Sequence, residues 1–251
     1  MIWAMIIGID VGGSGIKGAI VNLDTGEFES ERVRLETPKK SSPENCARTM
    51  NSILKHLVPK SDEELRIGIT VPAPVVHGVI PWMANLDQSW RGLPVEKFLS
   101  KHLGHPVVAV NDADAAGLAE VYYGAAKGVD GIVVVTTLGT GIGSAVINNG
   151  VLLPNTEFGH IEVNGHDAET RASAGVFERD KLTYKDWAKR LDAFYQAVER
   201  LIWPDLFVVG GGVSRNYKQF LPLLHLQAPI VPAELRNRAG IVGAAWAAAN
   251  S

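Results

Sequence analysis

The amino-acid sequence predicts an α/β fold built from two related halves around a cleft. Residues 6–22 align with residues 132–148 at a constant offset of 126 and without a gap, which indicates an internal duplication. Strand-like and helix-like segments alternate along both halves. The chain has 251 residues, of which 46% are hydrophobic and 20% charged, as expected of one large globular domain or two small ones.

Each copy of the repeat predicts a strand, a glycine-rich turn, a second strand, another turn and a third strand. The glycine-rich turns read Gly-Ser-Gly at residues 13–15 and Gly-Thr-Gly at residues 139–141. The later turns, at residues 24–26 and 148–150, combine Asp or Asn with Gly, which is typical of hairpins.

The remaining elements of the first half follow from hydrophobic periodicity. Apolar residues at helical spacing predict a helix over residues 43–57. Apolar runs predict an initial strand over residues 1–10 and further strands over 67–71 and 107–110. A helix is expected over residues 113–126, where the chain passes from one half to the other.

In the second half, Thr183 predicts the N-cap of a long amphipathic helix. The core face of this helix recurs at spacings of four and three, at Trp187, Leu191, Phe194, Val198 and Leu201. Residues 206–209 predict a buried strand that ends at three glycines, and residues 240–249 predict a closely packed helix of small side chains. We expect a small lobe over residues 1–111, completed by the C-terminal helix 237–251, and a large lobe over residues 112–236.

Composition and charge limit the possible classes of protein. The 24 Lys and Arg residues against 27 Asp and Glu residues give a net charge of −3, which excludes general polyanion binding but not a local basic patch. The single cysteine, Cys46, excludes an intrachain disulfide and is expected to be an inert, partly buried thiol. No signal-peptide pattern or membrane-length apolar run is found, so a soluble cytoplasmic protein is expected.

The first glycine-rich turn carries groups that suit phosphate binding. Gly12 and Gly13 let backbone N–H groups face phosphate oxygens, Ser14 adds a hydroxyl donor, and Asp10 can hold a hydrated Mg²⁺. The turn joins two strands, so it is not a Walker loop, in which Gly-Lys-Ser/Thr opens a helix. The alternative is a plain hairpin with an exposed Lys17.

The second turn lacks the acid and the lysine of the first. Gly139, Thr140 and Gly141 still offer N–H and hydroxyl donors to a phosphate. A Rossmann fingerprint would need a different glycine spacing and a following helix.

Two further pairs of polar residues suit the binding of hydroxyl groups. Asn111 and Asp112 follow an apolar strand, where a carboxylate can act as a general base and the amide can hold a neighbouring hydroxyl. The alternative is that Asp112 or Asp114 caps the helix that follows, and both roles can hold at once. Glu157 and His160 are of the kind that bind vicinal sugar hydroxyls, the alternative being an ordinary loop.

Five motifs in this order resemble those of the ROK sugar kinases, which have the duplicated actin-like ATPase (ribonuclease H-like) fold. They are Asp-Val-Gly-Gly-Ser-Gly-Ile-Lys at 10–17, Asn-Asp-Ala at 111–113, Leu-Gly-Thr-Gly-Ile-Gly at 138–143, Glu-Phe-Gly-His at 157–160 and Val-Gly-Gly-Gly-Val at 209–213. Within the family the chain looks most like the polyphosphate glucokinases, particularly at residues 12–18 and 154–162. The resemblance spans nearly the whole chain.

The resemblance implies a role for each matching residue. Asp112 would be the catalytic base and Asp10 would lie near the metal and the phosphates. The sugar-binding residues would be Asn85, Asn111, Asp112, Glu157, His160 and, on a weaker match, Glu169. The donor-binding residues would be Asp10, Gly12, Gly13, Ser14, Lys17, Thr137, Gly139, Thr140, Gly141, Gly210, Gly211 and Gly212. Trp90 lies in a segment that, with Asn85, is similar to one beside the sugar in the family.

The chain departs from the common family pattern in three places. Residues 161–175 contain no cysteine, so the zinc site of many ROK proteins is not expected. Ala73 stands where a glycine is usual, which leaves the backbone approach to the sugar open. No DNA-binding segment precedes the first strand, so a nucleic-acid partner is not expected.

The leading functional hypothesis is transfer of a phosphoryl group from polyphosphate, ATP or both to the 6-hydroxyl of glucose, and of mannose as a further acceptor, with Mg²⁺. The alternatives are an ATP-only ROK hexokinase for another sugar, a non-catalytic sugar sensor and an actin-like assembly ATPase. The last does not explain the Asn-Asp and Glu-x-x-His pairs. We expect a homodimer without a membrane partner.

A polyphosphate donor would need a local track of cations, because neutralising each phosphate releases counterions. The alternative to a track is an ordinary solvated loop and helix face. The candidate cations are Lys17, Arg171, Arg179, Lys181, Lys185, Lys189 and Arg190.

Overall fold

The computed structural model describes residues 5–58 and 65–251. The described strands are β1 (Met5–Val11), β2 (Ile16–Asn22), β3 (Glu27–Phe28), β4 (Val33–Leu35), β5 (Leu65–Val71), β6 (Val107–Asn111), β7 (Ile132–Leu138), β8 (Ile142–Asn148), β9 (Val151–Leu153), β10 (Glu162–Val163), β11 (His166–Asp167), β12 (Leu206–Gly210) and β13 (Ile230–Pro232). The described α-helices are α1 (Pro43–Leu57), α2 (Val95–Leu103), α3 (Asp112–Tyr123), α4 (Glu169–Ala172), α5 (Ala174–Arg179), α6 (Tyr184–Ile202) and α7 (Ala239–Ala249). The first four residues of the predicted initial strand lie outside the described part.

The chain divides into two compact units. Unit 1 contains the described residues up to Ala115 together with Arg238–Ser251, and unit 2 contains Ala116–Asn237. Unit 1 is therefore discontinuous in sequence, because the C-terminal helix α7 returns to it.

The sheet of unit 1 has the strand order β3-β2-β1-β5-β6, and β4 also pairs with β2. Strand β1 runs antiparallel to β2 but parallel to β5, and β5 runs parallel to β6. Because parallel strands end at the same edge, the carboxyl ends of β1, β5 and β6 lie side by side.

The sheet of unit 2 has the order β13-β12-β7-β8-β9 and repeats this pattern. Strands β7, β8 and β9 form consecutive antiparallel pairs, as β1, β2 and β3 do. Strand β12 runs parallel to both β7 and β13. The predicted duplication of strand, turn, strand, turn and strand is therefore confirmed within each unit.

Two helices begin where the sequence predicts. Helix α1 starts after Ser42, whose side chain accepts a hydrogen bond from the Asn45 amide, and Pro43 occupies the first helical position. Helix α6 starts after Thr183, whose hydroxyl accepts from the Asp186 amide at 3.2 Å.

Two predictions about helices are wrong in detail. Helix α3 ends at Tyr123 rather than at residue 126, because the buried carboxylate of Glu120 accepts from the Ala125 amide at 2.8 Å. Leu201 was expected in the core of α6 but is 63% exposed. Trp203, just beyond the helix, is also exposed, so the Leu201 side of the last turn of α6 faces solvent.

Helix α7 packs directly on the strands of unit 1, and glycines make this possible. A Cβ atom on Gly68 would overlap the carbonyl oxygen of Ala244, and one on Gly8 would overlap that of Ile241. The small side chains of α7 and these strand glycines therefore let the backbones approach closely.

The two faces of the β7 and β12 sheet are both buried. Val134, Phe207 and Val209 pack with the α6 residues Trp187 and Phe194. On the other face, the cluster consists of alternate residues from β7, β8 and β12, among them Val133, Val135, Ile147 and Val208. The central strands thus form a core that holds the loops at their ends in place.

Cys46 is fully buried, more deeply than expected. Burial, with a smaller contribution from the charge of Asp87, raises the pKa of its thiol to about 11. The predicted inert thiol is explained by this, since the thiolate is the reactive form. Among the described residues, no helix combines the length and apolar character needed to cross a membrane.

Candidate functional site

Asp10 lies near the carboxyl end of β1 and both of its carboxylate oxygens have partners. Lys17 donates to Oδ2 at 2.9 Å, and the hydroxyl of the fully buried Thr70 donates to Oδ1 at 2.9 Å. Thr70 also accepts from the Val11 amide at 3.2 Å. Asp10 is therefore held rigidly, and Lys17, predicted to bind the donor, neutralises part of its charge.

The first glycine-rich turn closes on itself and lies against the segment that carries Asn85. The Gly12 amide donates to the Gly15 carbonyl at 3.1 Å, and the Thr37 hydroxyl donates to the Gly12 carbonyl. A Cβ atom on Gly13 would lie 3.6 Å from the Asn85 carbonyl oxygen. The structure thus brings together the turn and the predicted sugar residue Asn85.

Trp90, predicted to lie beside the sugar, is fully buried. Its indole nitrogen donates to the Ser41 carbonyl at 2.8 Å. Trp90 therefore anchors the segment that carries Asn85 to the core of unit 1.

Asn111 ends β6 and caps the helix that follows. Its Oδ1 accepts from the amides of Ala113 at 2.8 Å and Asp114 at 3.1 Å. The cap is therefore Asn111, and the expectation that Asp112 or Asp114 provides it is wrong, because the helix already begins at Asp112. Since Oδ1 is engaged in the cap, the amide group of Asn111 can offer a ligand only N–H donors.

Asp112 is exposed at the first position of α3. One of its carboxylate oxygens accepts from the Ala113 amide at 2.9 Å. The register pairs Asp10 with Thr70 and Val71 with Asn111, so Asp10 and Asn111 lie at the same sheet edge, on either side of β5. This edge of unit 1 gathers the predicted base and the predicted metal ligand.

In unit 2, the two predicted glycine loops are neighbours. Thr137 near the end of β7 pairs with Gly210 at the end of β12, so the loops that follow these strands leave the same edge. The Gly139 amide donates to the Gly141 carbonyl at 3.0 Å, which closes the first of these loops. The Cβ positions of Gly139 and Gly212 have nothing within 4 Å, so space for a ligand remains beside both loops.

Glu169 lies against the loop that contains Gly141. Its Oε2 accepts from the Ile142 amide at 3.1 Å, and a Cβ atom on Gly141 would overlap that oxygen. The Gly175 amide donates to the Gly139 carbonyl at 2.9 Å, so α5 also supports the loop. The structure therefore brings Glu169, a predicted sugar residue, to the predicted phosphate loop.

Glu157 and His160 lie in a segment that is tied to β8. The Ser144 hydroxyl donates to the Thr156 carbonyl at 2.7 Å and accepts from the Phe158 amide at 2.9 Å. Burial raises the pKa of the Glu157 carboxyl; the charge of Glu169 raises it further, and that of His160 opposes the rise. Glu157 therefore keeps its proton to a higher pH than an exposed glutamate.

Asp167 is a part of this site that the sequence motifs did not reveal. Its Oδ2 lies 2.9 Å from Nδ1 of His160, and this hydrogen bond raises the pKa of the imidazole. The charges of Glu169, Asp167 and Glu157 raise it too, while burial lowers it. The bond fixes the Nδ1 side of the ring and favours the protonated form. In the sequence, Asp167 is marked only by its position two residues before Glu169.

Among the residues that the structure describes, His160, Asp167 and Glu169 are grouped closely enough to hold a metal ion. Their ligand atoms all lie within 4.8 Å of one another. The 2.9 Å contact between His160 and Asp167 also has the length of a hydrogen bond. The cluster therefore suits hydroxyl recognition by paired donors and acceptors.

Comparison with known proteins identifies the family. The sequence model of the ROK family matches residues 6–178. The chain belongs to the ROK family. Among ROK relatives, the polyphosphate glucokinase of Mycobacterium tuberculosis (strain CDC 1551 / Oshkosh) is 50% identical over 241 residues, which are 96% of this chain and 89% of the relative.

Two solved structures resemble the protein over nearly their full length. The inorganic polyphosphate/ATP-glucomannokinase of Arthrobacter sp. strain KM has a TM-score of 0.92 at 48% identity and covers 99% of both chains. The ROK family glucokinase of Streptomyces griseus, solved with glucose and AMPPNP, has a TM-score of 0.82 at 24% identity, covering 99% of this chain and 100% of its own. The second likeness concerns the fold alone. The predicted family and the actin-like ATPase fold class are confirmed.

Proposed function

We propose that this protein is a glucokinase that transfers a phosphoryl group from inorganic polyphosphate, ATP or both to the 6-hydroxyl of glucose. The observation that carries the proposal is the 50% identity to a polyphosphate glucokinase over 96% of the chain. The alternatives of a sugar sensor and an assembly ATPase are not favoured by it. Mannose as a second acceptor and the homodimer remain predictions of the sequence.

Asp112 is the proposed general base. In this role its carboxylate accepts the proton of the 6-hydroxyl as the oxygen attacks the transferred phosphorus, and the bond from that phosphorus to the leaving phosphate breaks. The exposure of Asp112 at the start of α3 and its position after Asn111 support this role. Asn111 is held by its two cap hydrogen bonds and donates N–H groups to a neighbouring hydroxyl.

The proposed sugar contacts combine acceptors and donors. Glu157 and Glu169 accept from sugar hydroxyls, and protonated His160 donates. Asn85 contributes from the segment beside the first glycine-rich turn. The hydrogen bonds of His160 to Asp167 and of Glu169 to the Ile142 amide orient two of these side chains before the sugar arrives, which lowers the entropic cost of binding.

The donor is proposed to lie along the glycine loops. Within unit 1, residues 12–14 offer N–H and hydroxyl groups to phosphate oxygens. Within unit 2, Thr137, residues 139–141 and residues 210–212 offer the same kinds of groups. Lys17 stays near Asp10 and offers a further charge to the phosphates. These donors stabilise the charge that spreads over the transferred phosphoryl group.

Mg²⁺ fits beside Asp10 in a particular way. Lys17 and Thr70 already bind the carboxylate, so Asp10 would contact a hydrated ion that the donor phosphates hold. When bound, the ion neutralises phosphate charge. We expect EDTA to abolish glucose phosphorylation and Mg²⁺ to restore it, as measured by a coupled assay. Full activity after removal of all divalent ions would contradict this role.

As the pH is lowered, glucose binding should begin to weaken at a higher pH than it would if Glu157 had the pKa of an exposed glutamate. The pKa of Glu157 is raised, so lowering the pH through that value protonates the acceptor and increases the KM for glucose. The Glu157→Gln variant should have a higher KM at neutral pH and should lack this acid limb. The measurement is the pH profile of KM for both proteins.

A second variant tests whether Asp167 is a positioning residue for His160. The Asp167→Asn variant should lower the pKa of His160, measured by NMR titration of the imidazole, because the charged partner is lost. His160 would then lose its proton at a lower pH. As the pH is raised, the KM for glucose should therefore begin to increase at a lower pH in the variant than in the wild type. An unchanged His160 titration in a folded variant would remove Asp167 from this role.

Identification of the product tests the reaction. Purified protein is incubated with glucose or mannose, Mg²⁺ and each donor, and the sugar phosphate is detected by a coupled dehydrogenase assay and phosphorus NMR. We expect glucose 6-phosphate. Binding of glucose without any phosphorylated product, whichever donor is supplied, would instead identify a sensor.

A further inference from the structure

Unit 2 contains a second feature that the proposed site does not use. A cavity of about 390 Å³ opens between the β10–β11 hairpin, α4 and α6. Its lining includes the apolar residues Ala168, Ala172 and Phe194. Arg171, Lys189 and Arg190 also line it, together with Asn164 and His166 on the hairpin.

The cavity is positively charged. None of the described residues that line it is acidic. Lys189 pairs with Asp186 at 2.9 Å and Arg190 with Asp180 at 3.5 Å, and both acids lie outside the lining. Two of the three cations are thus balanced by acids at the margin, and Arg171 supplies the excess positive charge of the lining.

Arg171 differs from the other two cations. Its guanidinium donates to Nε2 of His166 at 3.0 Å, and in the described part of the chain it makes no ion pair. The Arg190 guanidinium donates to the Arg171 carbonyl at 3.2 Å, which joins α6 to α4. Arg171 is thus held in place by contacts that do not neutralise its charge, and an anion would gain a charge-assisted bond there.

The cavity is connected to the proposed donor loop by a single short helix. Helix α4 carries Glu169, which accepts from the Ile142 amide beside Gly141, and two residues later it carries Arg171 into the cavity. A linear polyanion bound at the loop would have to pass α4 to reach these cations. A nucleotide has only three phosphates and offers no such extension.

We propose that this cavity binds the distal phosphates of an inorganic polyphosphate chain whose terminal group lies at the glycine loops. The proposal rests on the proposed polyphosphate donor. The cavity distinguishes between the basic residues that the sequence analysis treated as one group. Arg171, Lys189 and Arg190 line it. Arg179 and Lys185 do not line it, and Arg179 pairs with the adjacent Asp180.

The test compares charge removal inside and outside the cavity. The double variant Arg171→Gln/Lys189→Gln is matched by Lys181→Gln/Lys185→Gln, which removes the same charge from neighbouring exposed positions outside the cavity. We expect the cavity variant to raise the KM for long-chain polyphosphate about three- to tenfold, with kcat and the KM values for ATP, tripolyphosphate and glucose little changed. The dependence of this KM on salt should also become shallower. The control should behave like the wild type.

Equal effects in the two variants would mean a general charge effect and would overturn the proposal, as would no effect in the cavity variant. Equilibrium binding of long-chain polyphosphate, measured by calorimetry, separates this proposal from the proposed function. Binding that the cavity variant weakens, without phosphorylation of glucose, would keep the cavity and reject polyphosphate as donor. If the wild type neither binds nor uses polyphosphate, both are overturned. If inorganic phosphate or glucose 6-phosphate binds to the cavity and polyphosphate does not, the cavity is a site for a small phosphorylated ligand and the polyphosphate proposal is overturned.

Discussion

Replacing Asp112 by Asn should lower the turnover number for glucose phosphorylation by about 10²- to 10⁴-fold, the usual contribution of a general base. The amide cannot accept the proton of the 6-hydroxyl, but it keeps the shape of the side chain. Glucose binding should therefore change little. The measurements are kcat from the coupled assay and the dissociation constant of glucose from calorimetry.

A suitable control is Asp130→Asn, which neutralises an exposed acid in the loop between α3 and β7 and should have no effect on kcat. The thermal midpoint of Asp112→Asn should also match that of the wild type within a few degrees, since the cap of α3 is Asn111. Near-normal turnover in this variant would remove Asp112 from the mechanism.

The Gly211→Ala variant should lose stability and donor binding together. Gly211 has φ of +85°, and a Cβ atom there would overlap the carbonyl oxygen of Leu138 at the end of the neighbouring strand. Strain of this kind costs about 1 to 3 kcal/mol, and forced displacement of the packed backbone adds a similar amount. We expect a thermal midpoint roughly 4 to 24 °C lower, given about 2 to 4 °C per kcal/mol at this chain length. The KM values for both donors should rise, because the loops at the ends of β7 and β12 shift together.

Gly212→Ala is the matched control. Its Cβ atom would have open space and the residue has no positive φ, so the free energy of unfolding should change by less than about 0.5 kcal/mol. A Gly211→Ala protein as stable as Gly212→Ala would show that the loop does not require this conformation.

Much of the fold is predictable because local signals agree with the final packing. Helix α1 has the bounds that its periodicity predicts, since Ser42 and Pro43 define its start within the local sequence. The repeated hairpins follow from the two glycine-rich turns. The end of α3 could not be predicted in this way, because Glu120 also accepts from the Leu235 amide, which is 115 positions away in sequence.

Residues of the site could be predicted where they belong to short sequence motifs. They could not be predicted where they are separated from their contacts in sequence and carry no motif of their own. The pairs Asn111–Asp112 and Glu157–His160 were found through motifs, and their catalytic and sugar-binding roles remain predictions. Asp167 could not be predicted, because a lone aspartate in a short strand carries no pattern until the fold brings it to His160. The sequence analysis also treated all the basic residues between positions 171 and 190 as one group. Only the packing of α4 and α6 shows which of them line a cavity and which do not.

The most direct measurement of the central claim is the initial rate of glucose 6-phosphate formation with long-chain polyphosphate as the sole donor, beside the rate with ATP. Fresh enzyme, Mg²⁺ and a polyphosphate preparation freed of nucleotides are required. The proposed function predicts that polyphosphate supports the reaction and that its apparent affinity falls steeply with added salt, while the KM for glucose hardly changes. A reaction that proceeds with ATP but not with polyphosphate would contradict the claim and identify an ATP-dependent ROK hexokinase.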